Sequence, residues 1–226
     1  MKKYIIIVAA GRGNRFGSDL PKQFCMLGQR PVLMHAVIAM ARAVPDAELI
    51  VVVNDAYRDL WLKMCESAGF ASPRLVSGGD TRFQSVKNAL DSISADAPAD
   101  AIVLVHDGAR PVVKRDMVRR VVEATVANAA AVPVVPVTDS LREIDADGSS
   151  VPFDRSRVVG VQTPQGFRLA DLRNAYSHGY TPSMTDDASV WQIAGLPAPA
   201  LVEGSPLNIK ITHPRDIDIA DLFINR

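Results

Sequence analysis

The chain has 226 residues, with 25 Lys plus Arg balanced by 25 Asp plus Glu; 48% of residues are hydrophobic and 22% charged. A neutral chain has no broad basic face, which argues against general nucleic-acid binding but leaves room for one small basic pocket. The length suits a single domain with a full core, residues 1–226, and no stretch approaches the ~20 apolar residues of a membrane span.

Tyr4 to Ala9 is a short apolar run behind Met1-Lys2-Lys3. It leads directly into a Gly/Arg loop, so it predicts a buried strand rather than a signal peptide. The loop reads Ala9-Ala10-Gly11-Arg12-Gly13-Asn14-Arg15-Phe16-Gly17, followed by Pro21-Lys22-Gln23. A glycine-rich turn after a parallel strand directs backbone N–H groups at an anion, and the added cations suit charge that moves during phosphoryl transfer. A dinucleotide fingerprint requires glycine where Phe16 stands, and a P-loop requires Lys-Ser/Thr where Ser18-Asp19 follow Gly17. The loop resembles instead that of the nucleotidyltransferases that join a nucleoside triphosphate to a sugar or alditol phosphate. The bland alternative is a solvated basic loop.

Downstream, helical spacing over Pro31–Val44, Ala56–Ala68, Asp80–Ser94 and Lys114–Ala127 alternates with apolar runs over Leu49–Val53, Arg74–Ser77, Ala101–His106 and Ala130–Pro136. Pro31 suits a first helical residue and Asp80 an N-cap. The alternation predicts an α/β, Rossmann-like fold: a mostly parallel twisted sheet with helices on both faces. Ligands of such sheets lie beyond the carboxyl ends of the strands. The Gly/Arg loop, Ser77-Gly78-Gly79-Asp80 and Asp107-Gly108-Ala109-Arg110-Pro111 all fall at such ends.

In Gly78-Gly79-Asp80-Thr81-Arg82, with Ser85 following, capping alone accounts for Asp80, whereas a base pocket also accounts for the paired glycines. Asp107, at the exit of a buried strand, suits Mg²⁺ shared with triphosphate oxygens, or a loop cap on its own backbone. His106 reads as structural. Cys25 and Cys65 form no CxxC pair and fit a reducing, cytoplasmic setting.

From Thr138 to Val159 the rhythm breaks. Leu141–Asp145 and Ser149–Phe153 flank Ala146-Asp147-Gly148, which predicts a β-hairpin with too little apolar content for a core. A protruding β-arm over 138–159 can pair with a partner subunit. Leu169–Tyr180, Asp186–Ala194 and Pro214–Ile224 predict helices; Ala200–Glu203 and Asn208–Thr212 predict strands, the last carrying Lys210. By pattern alone Lys210, Arg155 and Thr185 read as ordinary surface positions.

Together with Gln162-Thr163-Pro164-Gln165, Thr185-Asp186-Asp187-Ala188 and Asn208-Ile209-Lys210, the three loops resemble the 2-C-methyl-D-erythritol 4-phosphate cytidylyltransferases over essentially the whole chain. The resemblance implies CTP and 2-C-methyl-D-erythritol 4-phosphate as substrates, pyrophosphate release, Mg²⁺ as cofactor, a homodimer with interlocking arms, and a place in non-mevalonate isoprenoid synthesis. It assigns Arg15 and Lys22 to the triphosphate and the reacting α-phosphate. Ala9, Ala10, Gly11, Gly79, Asp80 and Ser85 would surround the cytidine. Asp107 and Lys210 would sit between nucleotide and alditol phosphate, with Asp107 as metal ligand and Thr185 nearby. Arg110, Ser140 and Arg155 would reach the alditol phosphate. Catalytic roles fall to Arg15, Lys22, Arg155 and Lys210. Relatives fused to a cyclising enzyme exist, and this chain is expected to be single-function. The rivals are a ribitol-5-phosphate cytidylyltransferase, a sugar nucleotidyltransferase using another base, and a non-catalytic nucleotide sensor.

Overall fold

A computed structural model describes residues 1–11 and 20–224. Its strands are β1 (Lys3–Ala9), β2 (Met26–Leu27), β3 (Arg30–Pro31), β4 (Ala47–Val53), β5 (Arg74–Ser77), β6 (Ile102–Asp107), β7 (Ala130–Pro136), β8 (Leu141–Ile144), β9 (Ser150–Phe153), β10 (Val159–Val161), β11 (Gln165–Arg168) and β12 (Ala200–Glu203). The helices are α1 (Val32–Ala43), α2 (Arg58–Ser67), α3 (Arg82–Ser92), α4 (Arg115–Asn128), α5 (Leu169–Ser177), α6 (Asp187–Ile193) and α7 (Arg215–Ile224).

The main sheet runs β10-β7-β11-β6-β1-β4-β5, with β12 also pairing to β7. β1 pairs in parallel with β4 and β6, and β4 with β5. Burial on both faces is why β1 reads as an unbroken apolar run rather than an alternating one. Ile5 and Ile7 face α1, α2 and α4, while Tyr4 and Ile6 face α3, α5 and α6. Helices therefore cover both sides, as the alternating pattern predicts. A third cluster seats α7 against Leu27, Val32 and Ile211.

The short strands β2, β3 and β10 add to the predicted elements, and three further differences from the sequence reading bear on the site. β11 is antiparallel between β6 and β7; four residues with two polar ends, Gln165 and Arg168, carry too weak a pattern to announce a strand. Pro31 lies just outside α1, in extended backbone at its N-cap. Asn208–Thr212 is irregular rather than a strand. Its backbone meets the sheet loops through Ile211 N–H to Ala109 O at 2.9 Å, and the Asn208 amide donates to Thr163 O at 2.8 Å.

The hairpin of β8 and β9 forms as expected, with Leu141 opposite Phe153 and Gly148 at φ 83° in the turn. It is separate from the main sheet and leaves Ile144 74% exposed. Among the described residues no helix is long and apolar enough to cross a membrane.

Candidate active site

Beyond the carboxyl ends of β1, β4, β5 and β6 lies a cavity of about 660 Å³, within the usual range for small-molecule sites. Ala9, Ala10 and Gly11 line it from the end of β1, Gly79, Asp80 and Ser85 from the β5–α3 loop, and Asp107 from the end of β6; Lys22 and Lys210 complete the assembly. Nine candidate residues predicted from separate segments thus line one cavity. Arg15 lies outside the described residues. Ser140 and Arg155 are exposed on the arm, where the Arg155 guanidinium donates to the Thr138 carbonyl, and Thr185 is exposed ahead of α6. None of these three lines the cavity among the described residues.

Each wall has a local cause. Lys22 begins a 3-10 turn, Lys22–Phe24, anchored by its neighbours: Phe24 is fully buried, and the Gln23 amide donates to Ala9 O at 2.7 Å and Gly11 O at 2.8 Å. Gln23 thereby ties the turn to the end of β1, a role its sequence pattern did not reveal. At the β5–α3 loop the helix cap is Thr81, whose Oγ1 accepts from Gln84 N–H at 3.0 Å, and not Asp80. Asp80 is left exposed on the cavity wall. The paired glycines answer to packing: a Cβ on Gly78 would lie 2.2 Å from the Ala10 Cβ, and one on Gly79 2.1 Å from the Gln84 Cγ. Ser85 is buried, accepting from Gly79 N–H at 3.1 Å and donating to Thr81 O at 2.9 Å. Its hydroxyl holds the loop's shape.

Asp107 is the electrostatic centre. Lys210 Nζ lies 2.8 Å from its Oδ2, Arg110 Nε 3.5 Å from the same oxygen, and Arg82 Nε 3.7 Å from Oδ1. Burial by itself would push the carboxyl up; Arg82, then Lys210 and Arg110, outweigh it and hold the group well below the usual carboxylate range. Arg110 stands behind the cavity rather than in its lining, with Nη1 donating to Asn208 O at 2.7 Å. Fully buried Asn208 donates in turn to Thr163 O at 2.8 Å. These bonds fix the irregular segment that carries Lys210, so a position that looked like surface reaches the site.

The cavity lining also holds a residue to which the sequence reading gave no role. Arg82 lines the cavity and is gripped by Asp187; its place in the Gly-Gly-Asp-Thr-Arg motif was the available signal. His106 is fully buried, with Nε2 3.0 Å from Arg110 O and Nδ1 3.1 Å from Thr163 Oγ1. Nε2–H donating to the carbonyl and Nδ1 accepting from the hydroxyl satisfies a neutral ring, while Thr163 Oγ1 also accepts from Asp107 N–H at 3.1 Å. Burial, partly offset by the Arg110 carbonyl, lowers the His106 pKa to about 4. The unfolded chain then binds a proton that the folded chain refuses between about pH 4 and the ordinary value of 6.5. Stability on this account is complete above that window and is lost as pH falls through it, by about 3 kcal/mol at most. His106→Gln should flatten the stability curve between pH 6.5 and 4 in denaturant titrations; an unchanged slope would show that His106 is not responsible.

Among the described residues no group of three or more His, Cys, Asp or Glu side chains could cage a metal. The donor set nevertheless fits a hard cation held through one carboxylate and substrate phosphates, the usual arrangement for Mg²⁺.

Comparison with known proteins agrees with this fold. The family model for 2-C-methyl-D-erythritol 4-phosphate cytidylyltransferase, IspD, matches residues 4–226. The chain is 42% identical over 225 residues to the protein of that name from Bacteroides thetaiotaomicron, covering 99% of this chain and 100% of the relative. It is also 42% identical to its namesake from Porphyromonas gingivalis, covering 99% and 98%. The crystal structure of the Thermus thermophilus enzyme of that name superposes with a TM-score of 0.77 at 34% identity, covering 100% of both chains. With its fold and its sequence matching over nearly all of the chain, the protein belongs to the 2-C-methyl-D-erythritol 4-phosphate cytidylyltransferase family, IspD.

Proposed function

We propose that this chain transfers the cytidylyl group of CTP to 2-C-methyl-D-erythritol 4-phosphate, releasing pyrophosphate, in the cavity built around Asp107. The observation that carries the reading is one cavity shared by Lys22, Arg82, Asp107 and Lys210 with the Gly79-Asp80 loop. An oxygen of the alditol phosphate attacks the α-phosphorus of CTP; that O–P bond forms as the bond to the β-phosphate oxygen breaks. A phosphate monoester has a second pKa near ~6 and arrives ionised, so no general base is needed. His106, buried with both ring nitrogens engaged, is not available as one.

Lys22 and Arg15 hold the triphosphate and oppose charge developing on the α-phosphate and the leaving pyrophosphate. Ala9, Ala10, Gly11, Gly79, Asp80 and Ser85 frame the cytidine. Lys210, oriented by Asp107, meets the alditol phosphate, with Thr185 nearby and Arg110 bracing Lys210's segment from behind. Asp107 is the candidate ligand for Mg²⁺, which when bound supplies charge neutralisation across the phosphates.

Residues 138–159 serve as the dimerisation arm of a single nucleotidyltransferase domain, and Ser140 and Arg155 complete the partner's site. The apolar Ile144 and Val151 exposed on the arm support that role. Two free thiols support a cytoplasmic setting.

Pyrophosphate release from CTP with methylerythritol phosphate or ribitol 5-phosphate tests the reading, with ATP, GTP and UTP as controls. Methylerythritol phosphate is expected to give a kcat/KM at least about tenfold higher than ribitol 5-phosphate, a gap of ~1.4 kcal/mol in transition-state binding. Equal or faster turnover of ribitol 5-phosphate, or preference for another nucleotide, would overturn it.

A further inference from the structure

Arg82 enters the cavity wall, yet most of its guanidinium faces away from it. Nη1 donates to Asp187 Oδ1 at 2.9 Å and Nη2 to Oδ2 at 2.6 Å, a two-pronged pairing between residues 105 apart in sequence. Asp187 is fully buried, and the Tyr176 hydroxyl donates to its Oδ1 at 2.6 Å. The remaining edge of the guanidinium, Nε, lies 3.7 Å from Asp107. One fork is therefore shared between a carboxylate at the start of α6 and the carboxylate at the centre of the site.

The start of α6 is itself immobilised. Asp186 and Ser189 form a capping box. Gln165 on β11, almost wholly buried, donates to Asp186 Oδ2 at 2.8 Å and accepts from Ala188 N–H at 3.0 Å. The Gln165 amide thus clamps α6 to the sheet on both sides of Asp187. Fixing a buried ion pair this closely gives little net stability, since desolvation offsets most of the Coulomb attraction. What the arrangement does supply is direction: a guanidinium held on two prongs presents Nε to the cavity in one orientation. Without that grip, Arg82 would be free to turn its terminal nitrogens onto Asp107 and compete with Lys210, which sits 2.8 Å from the same carboxylate.

We propose that Asp187 is a positioning residue for the transfer: its grip on Arg82 fixes that cation beside Asp107 and keeps the Asp107–Lys210 pair intact. The proposal rests on the cytidylyl-transfer reading of the cavity, and it makes Asp187, Tyr176 and Gln165 a support that acts on the reaction only through Arg82.

The test uses full-length protein with CTP, methylerythritol phosphate and Mg²⁺. Asp187→Asn should lower kcat by about tenfold or more and shift the KM for CTP by less than about threefold, the split expected for lost transition-state positioning. In an Arg82→Gln background the same change should add less than about a twofold further loss, because its route of action is already gone. Unchanged kcat in Asp187→Asn, or a full multiplicative loss in that background, overturns the proposal. If Asp187→Asn does not fold, Tyr176→Phe decides: about a two- to fivefold drop in kcat at an unchanged melting temperature supports it, and unchanged kcat overturns it.

Nitrogen-15 NMR of the arginine side chains separates this proposal from the reading beneath it. The Arg82 Nη protons should be resolved and slow to exchange in the wild type and averaged in Asp187→Asn. Averaged signals in the wild type would overturn the grip, whatever the activity. Wild-type protein that shows the grip but releases no pyrophosphate would overturn the cytidylyl-transfer reading instead.

Discussion

Lys22→Ala should lower kcat for pyrophosphate release by roughly 10²–10³-fold, the usual cost of removing one preorganised charge stabiliser from a phosphoryl or acyl transfer site. The size follows from where Lys22 sits. It lines the cavity directly after Pro21, on a turn whose position is set by its neighbours, the buried Gln23 and Phe24. The Gln23 amide holds Ala9 and Gly11 whichever side chain precedes it. Truncating Lys22 therefore removes a cation without releasing the turn. The melting temperature should stay within about 3 °C of wild type, as for other substitutions that leave core and caps intact. Steady-state kinetics beside a thermal melt check both halves. Turnover within about threefold of wild type would remove Lys22 from the chemistry.

Asp107→Asn should be costly in both stability and rate. The carboxylate faces Lys210 at 2.8 Å, Arg110 at 3.5 Å and Arg82 at 3.7 Å. Neutralising it leaves three cations clustered in a mostly buried place, and removing one partner of a buried pair costs about 3–5 kcal/mol. In a chain of this size that is a fall in melting temperature of about 10 °C. Because the folded-state pKa of Asp107 is depressed, its stabilisation is present above the ordinary carboxylate value and is lost only as pH falls through the lower folded value. The gap between wild type and Asp107→Asn should therefore stay constant from about pH 5 to 8 and narrow only below ~4. Turnover should fall in parallel, since Lys210 loses the group that orients it. A variant that melts with wild type, or a gap that closes near neutral pH, would show that Asp107 is not the counter-ion of this cluster.

The elements that could be read from sequence are those whose pattern is local. β1, β4 and β6 are continuous apolar runs, and α3 and α4 have helical spacing between polar loops. The loop after β5 was legible in outline and misread in detail. Asp80 and Thr81 are both good capping residues, and only the bond from Gln84 N–H to Thr81 Oγ1 shows which one caps. β11 escaped because Gln165-Gly166-Phe167-Arg168 is short and polar at both ends. Its burial comes from β6 and β7 on either side rather than from its own composition.

By itself the amino-acid sequence determined the alternating α/β architecture, the hairpin, the loops at the strand ends, and through its motifs the family. Those properties depend on periodicity, turn chemistry and residue identity within a few positions. Tertiary structure alone decided the electrostatics of the site: that Asp107 faces Arg82, Arg110 and Lys210, that buried Asn208 draws the Lys210 segment inward, and that Asp187 grips Arg82 from 105 residues away. A charge's partners depend on which strands lie side by side and how deeply their ends are buried, and no short stretch of chain carries that information.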